Sequence, residues 1–169
     1  CIIKNRTKKN LLVSFSGSET SAFMAQWLNN HYEEYGYKNI VFVFANTGLE
    51  NEQTLEFVER CDKHFKLGMQ WIEADVIHEY RKGTRFYRTD FDNARELKGA
   101  PISAFGNEWF NGEKYHTAIG IRTDEVDRMN DKAKQRGLIY PLINRKMIPV
   151  TKPMINFYWR TMPFRLELK

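Results

Sequence analysis

Two short, unbroken apolar runs set the pattern of the chain: Leu11-Leu12-Val13, continuing past Ser14 to Phe15, and Ile40-Val41-Phe42-Val43-Phe44. A strand that is apolar on both faces is buried on both, the condition of a parallel sheet covered by helices. Between these runs Phe23, Met24, Trp27, Leu28 and His31 recur at three- and four-residue steps. They predict an amphipathic helix from Thr20 to about Tyr35, with Gly36 placed as its C-terminal stop. Leu55, Val58, Cys61 and Phe65 mark a second helix, and Met69 to Ile72 a third strand. Strand and helix alternating at this rhythm call for right-handed crossovers. The fold class is therefore α/β, a doubly wound, mainly parallel sheet with helices on both faces, and residues 1–169 read as one domain.

The second half of the chain is less regular. Arg81 to Asn93 is charged and aromatic, with an irregular strand expected around Phe86 to Phe91. Ala100 to Lys114, which contains Pro101, Gly106 and Gly112, reads as loop. Tyr115 to Ile121 predicts a strand, Asp124 to Gln135 a polar helix and Leu138 to Ile143 a short strand. Thr151-Lys152-Pro153 has helix-start chemistry, with threonine as cap and proline in the first turn, and Pro163 stops that helix after about Thr161.

Composition narrows the classes of function. Hydrophobic residues make up 42% and charged residues 28%, the balance of a globular protein. No apolar run approaches the ~20 residues that span a bilayer, and no signal peptide is recognisable, so no membrane partner is expected. Cys1 and Cys61 lack Cys-x-x-Cys spacing, and His31, His64, His78 and His116 lack metal-ligand spacing. Neither a zinc site nor a disulfide framework follows, which fits the reducing cytoplasm. A net charge of +5 favours anionic partners, nucleotides or nucleic acid, without choosing between them.

The chemistry gathers at the strand ends. Ser16-Gly17-Ser18-Glu19-Thr20-Ser21 joins the first strand to the first helix. A small-residue loop there lets backbone N–H groups converge on an anion at a helix N-terminus, and the same residues also suit a tight turn with a capping serine. It is neither a Walker loop nor a Gly-x-Gly-x-x-Gly fingerprint. Phe44-Ala45-Asn46-Thr47-Gly48 leaves the second strand, and Gly120-Ile121-Arg122-Thr123-Asp124-Glu125 a later one, with Arg128 close behind. Arg122 and Arg128 offer planar forks for phosphate or sulfate. Asp124 and Glu125 are candidate ligands for Mg²⁺ on a polyphosphate, or carboxylates favoured by a helix N-terminus.

Together these segments resemble the phosphoadenosine-phosphosulfate (PAPS) reductase family, within the PP-loop ATP pyrophosphatases of adenine nucleotide α-hydrolase-like fold. The family loop Ser-Gly-Gly-x-Asp-Ser, or Ser-Gly-Gly-x-Thr-Ser in a branch common among phages, stands here as Ser16 to Ser21. Asn46-Thr47-Gly48 with Glu50 and Thr54 matches a second signature, and Gly120 to Glu125 matches Gly-Ile-Arg-x-Asp-Glu in full. Tyr140-Pro141-Leu142, Thr151-Lys152 and Phe157-Tyr158-Trp159 are similar to the closing segment. The resemblance covers about Leu11 to Phe164.

It implies that Ser16 to Ser21 cradle the phosphates or sulfate of ATP or PAPS, and that adenine lies near Phe44 and Ala45 with Gly120 below it. Asn46, Thr47 and Gly48 would complete the nucleotide site, Ser21, Arg122 and Arg128 would act in catalysis, and Asp124 and Glu125 would hold any Mg²⁺. It also implies an adenylated acceptor, with nucleic acid among the candidates, leaves oligomerisation open, and sets a phage-encoded member in the host cytoplasm. Three functions remain. One is an ATP pyrophosphatase that cleaves between the α- and β-phosphates and adenylates an acceptor, ahead of sulfur transfer. Another is a PAPS-type reductase or sulfurtransferase, and the third a catalytically inactive nucleotide-binding module.

Several departures carry expectations of their own. Ser18 replaces a glycine and is expected to distort the loop, and Thr20 replaces aspartate. Glu19 brings a negative charge to a phosphate site. Family relatives carry a substrate-contacting stretch between Phe105 and Tyr115, so Phe105 and the residues just after it are expected at the mouth of the pocket, as a mobile lid.

Overall fold

The structure is a computed structural model and describes residues 10–46, 50–73 and 94–167. The expectations for residues 81–93, and for Thr47 and Gly48, lie outside the described residues.

The first apolar run forms β1 (Asn10–Ser14), and the stripe after it forms α1 (Glu19–His31). A 3-10 turn at Tyr32–Tyr35 continues α1, and Gly36 ends it in the left-handed region at φ 89°. The second run forms β2 (Asn39–Asn46), followed by α2 (Glu52–Phe65) and β3 (Gln70–Glu73). After α3 (Ala94–Trp109) come β4 (His116–Ala118), a 3-10 turn (Thr123–Arg128), α4 (Ala133–Arg136), β5 (Leu138–Ile139) and α5 (Lys152–Arg160). The described strands make one sheet in the order β3-β2-β1-β4-β5, and each neighbouring pair is parallel.

Alternation along β1 and β2 divides the core into two layers. Leu11, Val13, Phe15, Phe42 and Phe44 face one way and pack with Ala22, Met24, Ala25 and Leu28 of α1, Phe57, Val58 and Cys61 of α2, and Ile155 and Trp159 of α5. Leu12, Val41, Val43 and Ala45 face the other way, against Ile102 of α3 and Phe110 just beyond it. Both faces are covered, as the apolar runs require. Trp159 is 1% exposed and sits among Phe57, Phe65 and Phe164, with ring centroids at 5.1, 6.4 and 5.6 Å.

Three local expectations change. Ala100 to Trp109 is helix, not loop, since α3 runs through Pro101 to Trp109, and only residues 110–114 keep the expected turn. Ile102, Phe105 and Trp109 recur at helical steps, and burial of Ile102 against the sheet outweighs the turn formers. Gly106 gives room for the Tyr115 ring, which would lie 2.5 Å from a Cβ there. Asp124 to Gln135 is a 3-10 turn and a separate four-residue α4, because Met129 passes into extended backbone between them at φ −66°, ψ 143°. The strand expected to Ile143 ends at Ile139, where Tyr140 turns away and its hydroxyl accepts the Asn130 N–H at 2.9 Å.

Tyr37 and His116 tie the entry of β2 to β4, with Tyr37 Oη and His116 Nδ1 2.6 Å apart. Burial pushes the Tyr37 phenol up from 10.0 to about 12. Below pH 10 it is neutral in both states; between 10 and about 12 the unfolded chain gives up a proton that the folded chain keeps. Its contribution is whole below pH 10 and is lost as pH climbs toward 12. Urea unfolding across that range is expected to show a shallower fall in stability for Tyr37→Phe than for the parent.

Candidate active site at the sheet switch point

The strand order reverses between β1 and β4, since β1 leads outward to β2 and β4 to β5. At such a switch point the loops leaving the carboxyl ends of the two strands diverge and open a crevice, the usual ligand position in a doubly wound sheet. The two loops here are Ser16 to Ser21 and Gly120 to Arg122.

Gly17 takes φ +92°, and a Cβ at that position would meet Thr54 Cγ2 of α2 at 2.7 Å and Phe44 Cε1 at 3.4 Å. Glycine is required on both counts. Ser18 sits at φ −97°, ψ 162°, an extended conformation open to any residue, so the expected distortion does not arise. It caps α1 instead, its Oγ accepting the Ser21 N–H at 3.1 Å. Ser21 is 1% exposed and organises the turn. Its Oγ accepts the Ser16 N–H at 3.1 Å and donates to Ser18 O at 3.0 Å. The Ser16 and Ser18 hydroxyls lie 3.1 and 3.2 Å from it. A hydroxyl this enclosed shapes the loop and is not exposed as a nucleophile. Ser16 is exposed, Gly17 and Thr20 are buried, and Ser18 and Glu19 are half-buried.

The second loop reaches the first by backbone approach and by side chain. A Cβ on Gly120 would stand 3.2 Å from Ser21 Cα. Arg122 Nη1 donates to Thr20 Oγ1 at 2.9 Å, across a separation of 102 residues. Thr20, which stands in place of an aspartate, thus supplies a neutral acceptor for the arginine. Arg122, 14% exposed in its side chain, also donates from Nε and Nη2 to Asp124 at 3.0 and 3.2 Å. Glu125 accepts the Arg122 backbone N–H at 3.2 Å and Arg128 Nη1 at 2.8 Å. The Arg122 hydrogen bond holds the Asp124 carboxyl below the usual carboxylate range. Arg128 is 62% exposed in its side chain and joins the cluster through Glu125.

Phe44 and Ala45 lie buried at the end of β2, and Asn46 closes the strand half-buried. Glu19, expected to burden the loop with charge, is turned away: its carboxylate receives Arg165 Nη2 at 2.8 Å, Arg165 Nε at 3.0 Å and the Leu166 N–H at 3.1 Å. Sequence reasoning did not single out Arg165, because a charge pair spanning 146 residues leaves no local pattern.

Asp124 and Glu125 were expected as Mg²⁺ ligands. Both are engaged by arginine, and among the described residues no group of three or more His, Cys, Asp or Glu side chains converges. The expected lid is corrected. Phe105 is on α3 and stacks on Trp109 at 5.4 Å, while the Asn10 side chain, at the start of β1, donates to Lys114 O at 3.1 Å. Glu113 and Lys114, both bound by the Asn10 side chain, therefore lie by the amino end of β1, opposite the crevice.

No protein-family model matches the chain. An uncharacterized nin region protein of Escherichia phage lambda, ORF290, is 26% identical over 186 residues, which cover 93% of this chain and 61% of that protein. Among solved structures, the NH3-dependent NAD synthetase of Campylobacter jejuni superposes with a TM-score of 0.60 at 14% identity, covering 94% of this chain and 66% of the synthetase. The U34-tRNA thiolase NcsA of Methanococcus maripaludis gives 0.56 at 12% identity, covering 92% and 57%. PAPS reductase of Candida auris, solved as a phosphate complex, gives 0.56 at 11% identity, covering 91% and 73%. These neighbours share the adenine nucleotide α-hydrolase-like fold, and this chain has that fold. The chain spans less than two thirds of the length of the phage protein, of the NAD synthetase and of the thiolase.

Gly17→Ala is expected to destabilise the fold by roughly 1–3 kcal/mol, combining positive-φ strain with overpacking against Thr54. Urea unfolding of the ligand-free protein measures this. Gly120→Ala, which presses on the Ser21 backbone, is expected to cost less, because its gap to Ser21 is wider.

Proposed function

We propose that this chain binds an adenine nucleotide in the crevice between β1 and β4, cleaves ATP between its α- and β-phosphates and transfers AMP to an acceptor, ahead of sulfur transfer. The acceptor's nucleophile forms a bond to the α-phosphorus, and the bond from that phosphorus to the bridging oxygen breaks, releasing pyrophosphate. The observation that carries the reading is the contact of Arg122 with Thr20, which brings a guanidinium to the first turn of α1, where the loop amides and the helix dipole favour an anion. Such chemistry is mostly positioning and charge neutralisation. Ser16 and Ser18 hydroxyls and loop amides would meet the phosphates, Phe44 and Ala45 would flank the adenine, and Arg122 would bear on the α-phosphate. Asn46, Thr47 and Gly48 stay in the proposal as edge contacts. Arg128 would follow Arg122 through their common partner Glu125, and Ser21 would serve by keeping the loop in shape.

The likeness to NAD synthetase, a tRNA thiolase and PAPS reductase supports a nucleotide-handling role, and the phosphate in the reductase structure supports an anion site on this fold. Mg²⁺ would enter with the nucleotide's own phosphate oxygens and supply charge neutralisation; in the protein, Asp124 and Glu125 hold Arg122 in place. Reduction by cysteine has little support among the described residues. Cys61 lies in the core, and its thiol is pushed well above its usual range, first by burial and then by Glu19 and Asp62. Only a thiolate attacks sulfur readily.

Incubation with ATP and separation of the nucleotides tests the reading: AMP and pyrophosphate are expected, and ADP with phosphate would overturn it. Tight ATP binding without turnover would favour the inactive binding module. Arg122→Lys keeps the charge but loses the planar fork, so ATP affinity is expected to fall about tenfold in calorimetry. Unchanged affinity would remove Arg122 from the site.

A further inference from the structure

The chain after α5 folds back over the first turn of α1. Trp159 Nε1 donates to the Glu19 carbonyl at 3.1 Å, and Phe164 seats on Phe57 and Trp159 with centroids at 6.0 and 5.6 Å. This anchoring delivers Arg165 and the Leu166 N–H to the Glu19 carboxylate, whose side chain is only 15% exposed. The pair is a bidentate fork, with Nη2 on Oε1 at 2.8 Å and Nε on Oε2 at 3.0 Å. Glu19 is the first residue of α1, directly after the Ser18 cap. A free carboxylate there occupies the positive end of the helix that an incoming phosphate needs, and repels the phosphate as well.

We infer that Arg165 is a positioning residue of the nucleotide site. It cancels the Glu19 charge and keeps that carboxylate turned toward residues 164–166, leaving the loop amides that bind no other loop group, those of Gly17, Glu19 and Thr20, open to a phosphate. A lysine would neutralise Glu19 but could not fix its orientation through two parallel hydrogen bonds. The strap of Phe164 to Leu166 is thereby part of the anion site without touching the anion. The inference rests on the proposed reading of Ser16 to Ser21 as a phosphate loop.

The test is calorimetric titration of the full chain with ATP and with inorganic pyrophosphate, alongside thermal unfolding of each variant. Arg165→Ala is expected to weaken both ligands about tenfold, more steeply at low salt. Glu19→Gln alone should tighten binding about twofold to threefold, the size of a helix-terminal charge effect. The double variant Glu19→Gln/Arg165→Ala is expected to return to within about threefold of the parent, even if its unfolding temperature stays low. A strap with a purely structural role would leave the double variant as weak as Arg165→Ala, and that result would overturn the inference. So would parent-like affinity in Arg165→Ala. If alanine prevents folding, Arg165→Lys replaces it: a loss of about threefold is expected, abolished in the Glu19→Gln background, and a loss that persists there overturns the inference. A parent that binds neither ATP nor pyrophosphate overturns the phosphate-loop reading, and the inference with it; a parent that binds, with no rescue by Glu19→Gln, overturns the inference alone.

Discussion

The close approach of two backbone segments at the carboxyl ends of β1 and β4 is the constraint on which the rest depends. A Cβ on Gly17 would stand 2.7 Å from Thr54 Cγ2, closer than packing allows, and one on Gly120 a tight 3.2 Å from Ser21 Cα. These contacts wedge the loop between α2 on one side and the exit of β4 on the other. Everything polar at the site is then placed by short reach. Arg122 meets Thr20 because Gly120 has already brought its strand end to the loop. Ser21 is enclosed because the chain on both sides of it is fixed.

Charge at the site is arranged in two balanced groups. Arg122 and Arg128 face Asp124 and Glu125 on one side of the crevice, and Glu19 faces Arg165 on the other. Glu19, the carboxylate within the loop, is held by Arg165. That arrangement leaves the helix N-terminus as the local positive pole, which suits an anionic ligand. It also accounts for a glutamate in a phosphate-type loop, since its partner is supplied by the far end of the chain.

Local departures from the expected pattern have compensations of similar kind. Ser18, in place of glycine, adopts an extended conformation and contributes a helix cap. Thr20, in place of aspartate, accepts one hydrogen bond from an arginine already neutralised by Asp124. Tyr115 fills the space left by Gly106 and steadies a helix that carries a proline in its interior.

The hydrophobic pattern alone determined the α/β architecture, because Leu11–Phe15 and Ile40–Phe44 have no polar face and can be satisfied only between two layers of helix. It also set the loop Ser16–Ser21 between a strand and a helix, and put Gly-Ile-Arg at the end of a later strand. The α3 helix escaped that pattern, since Pro101, Gly106 and Gly112 signal turns locally while the burial of Ile102 and Phe110 against Leu12 and Val43 is a long-range effect. The orientation of Glu19, the role of Thr54 as the wall against Gly17, and the strap carrying Arg165 were likewise decided only by tertiary structure. Each joins residues far apart in the chain, and no local propensity records a partner that folding brings from so far away.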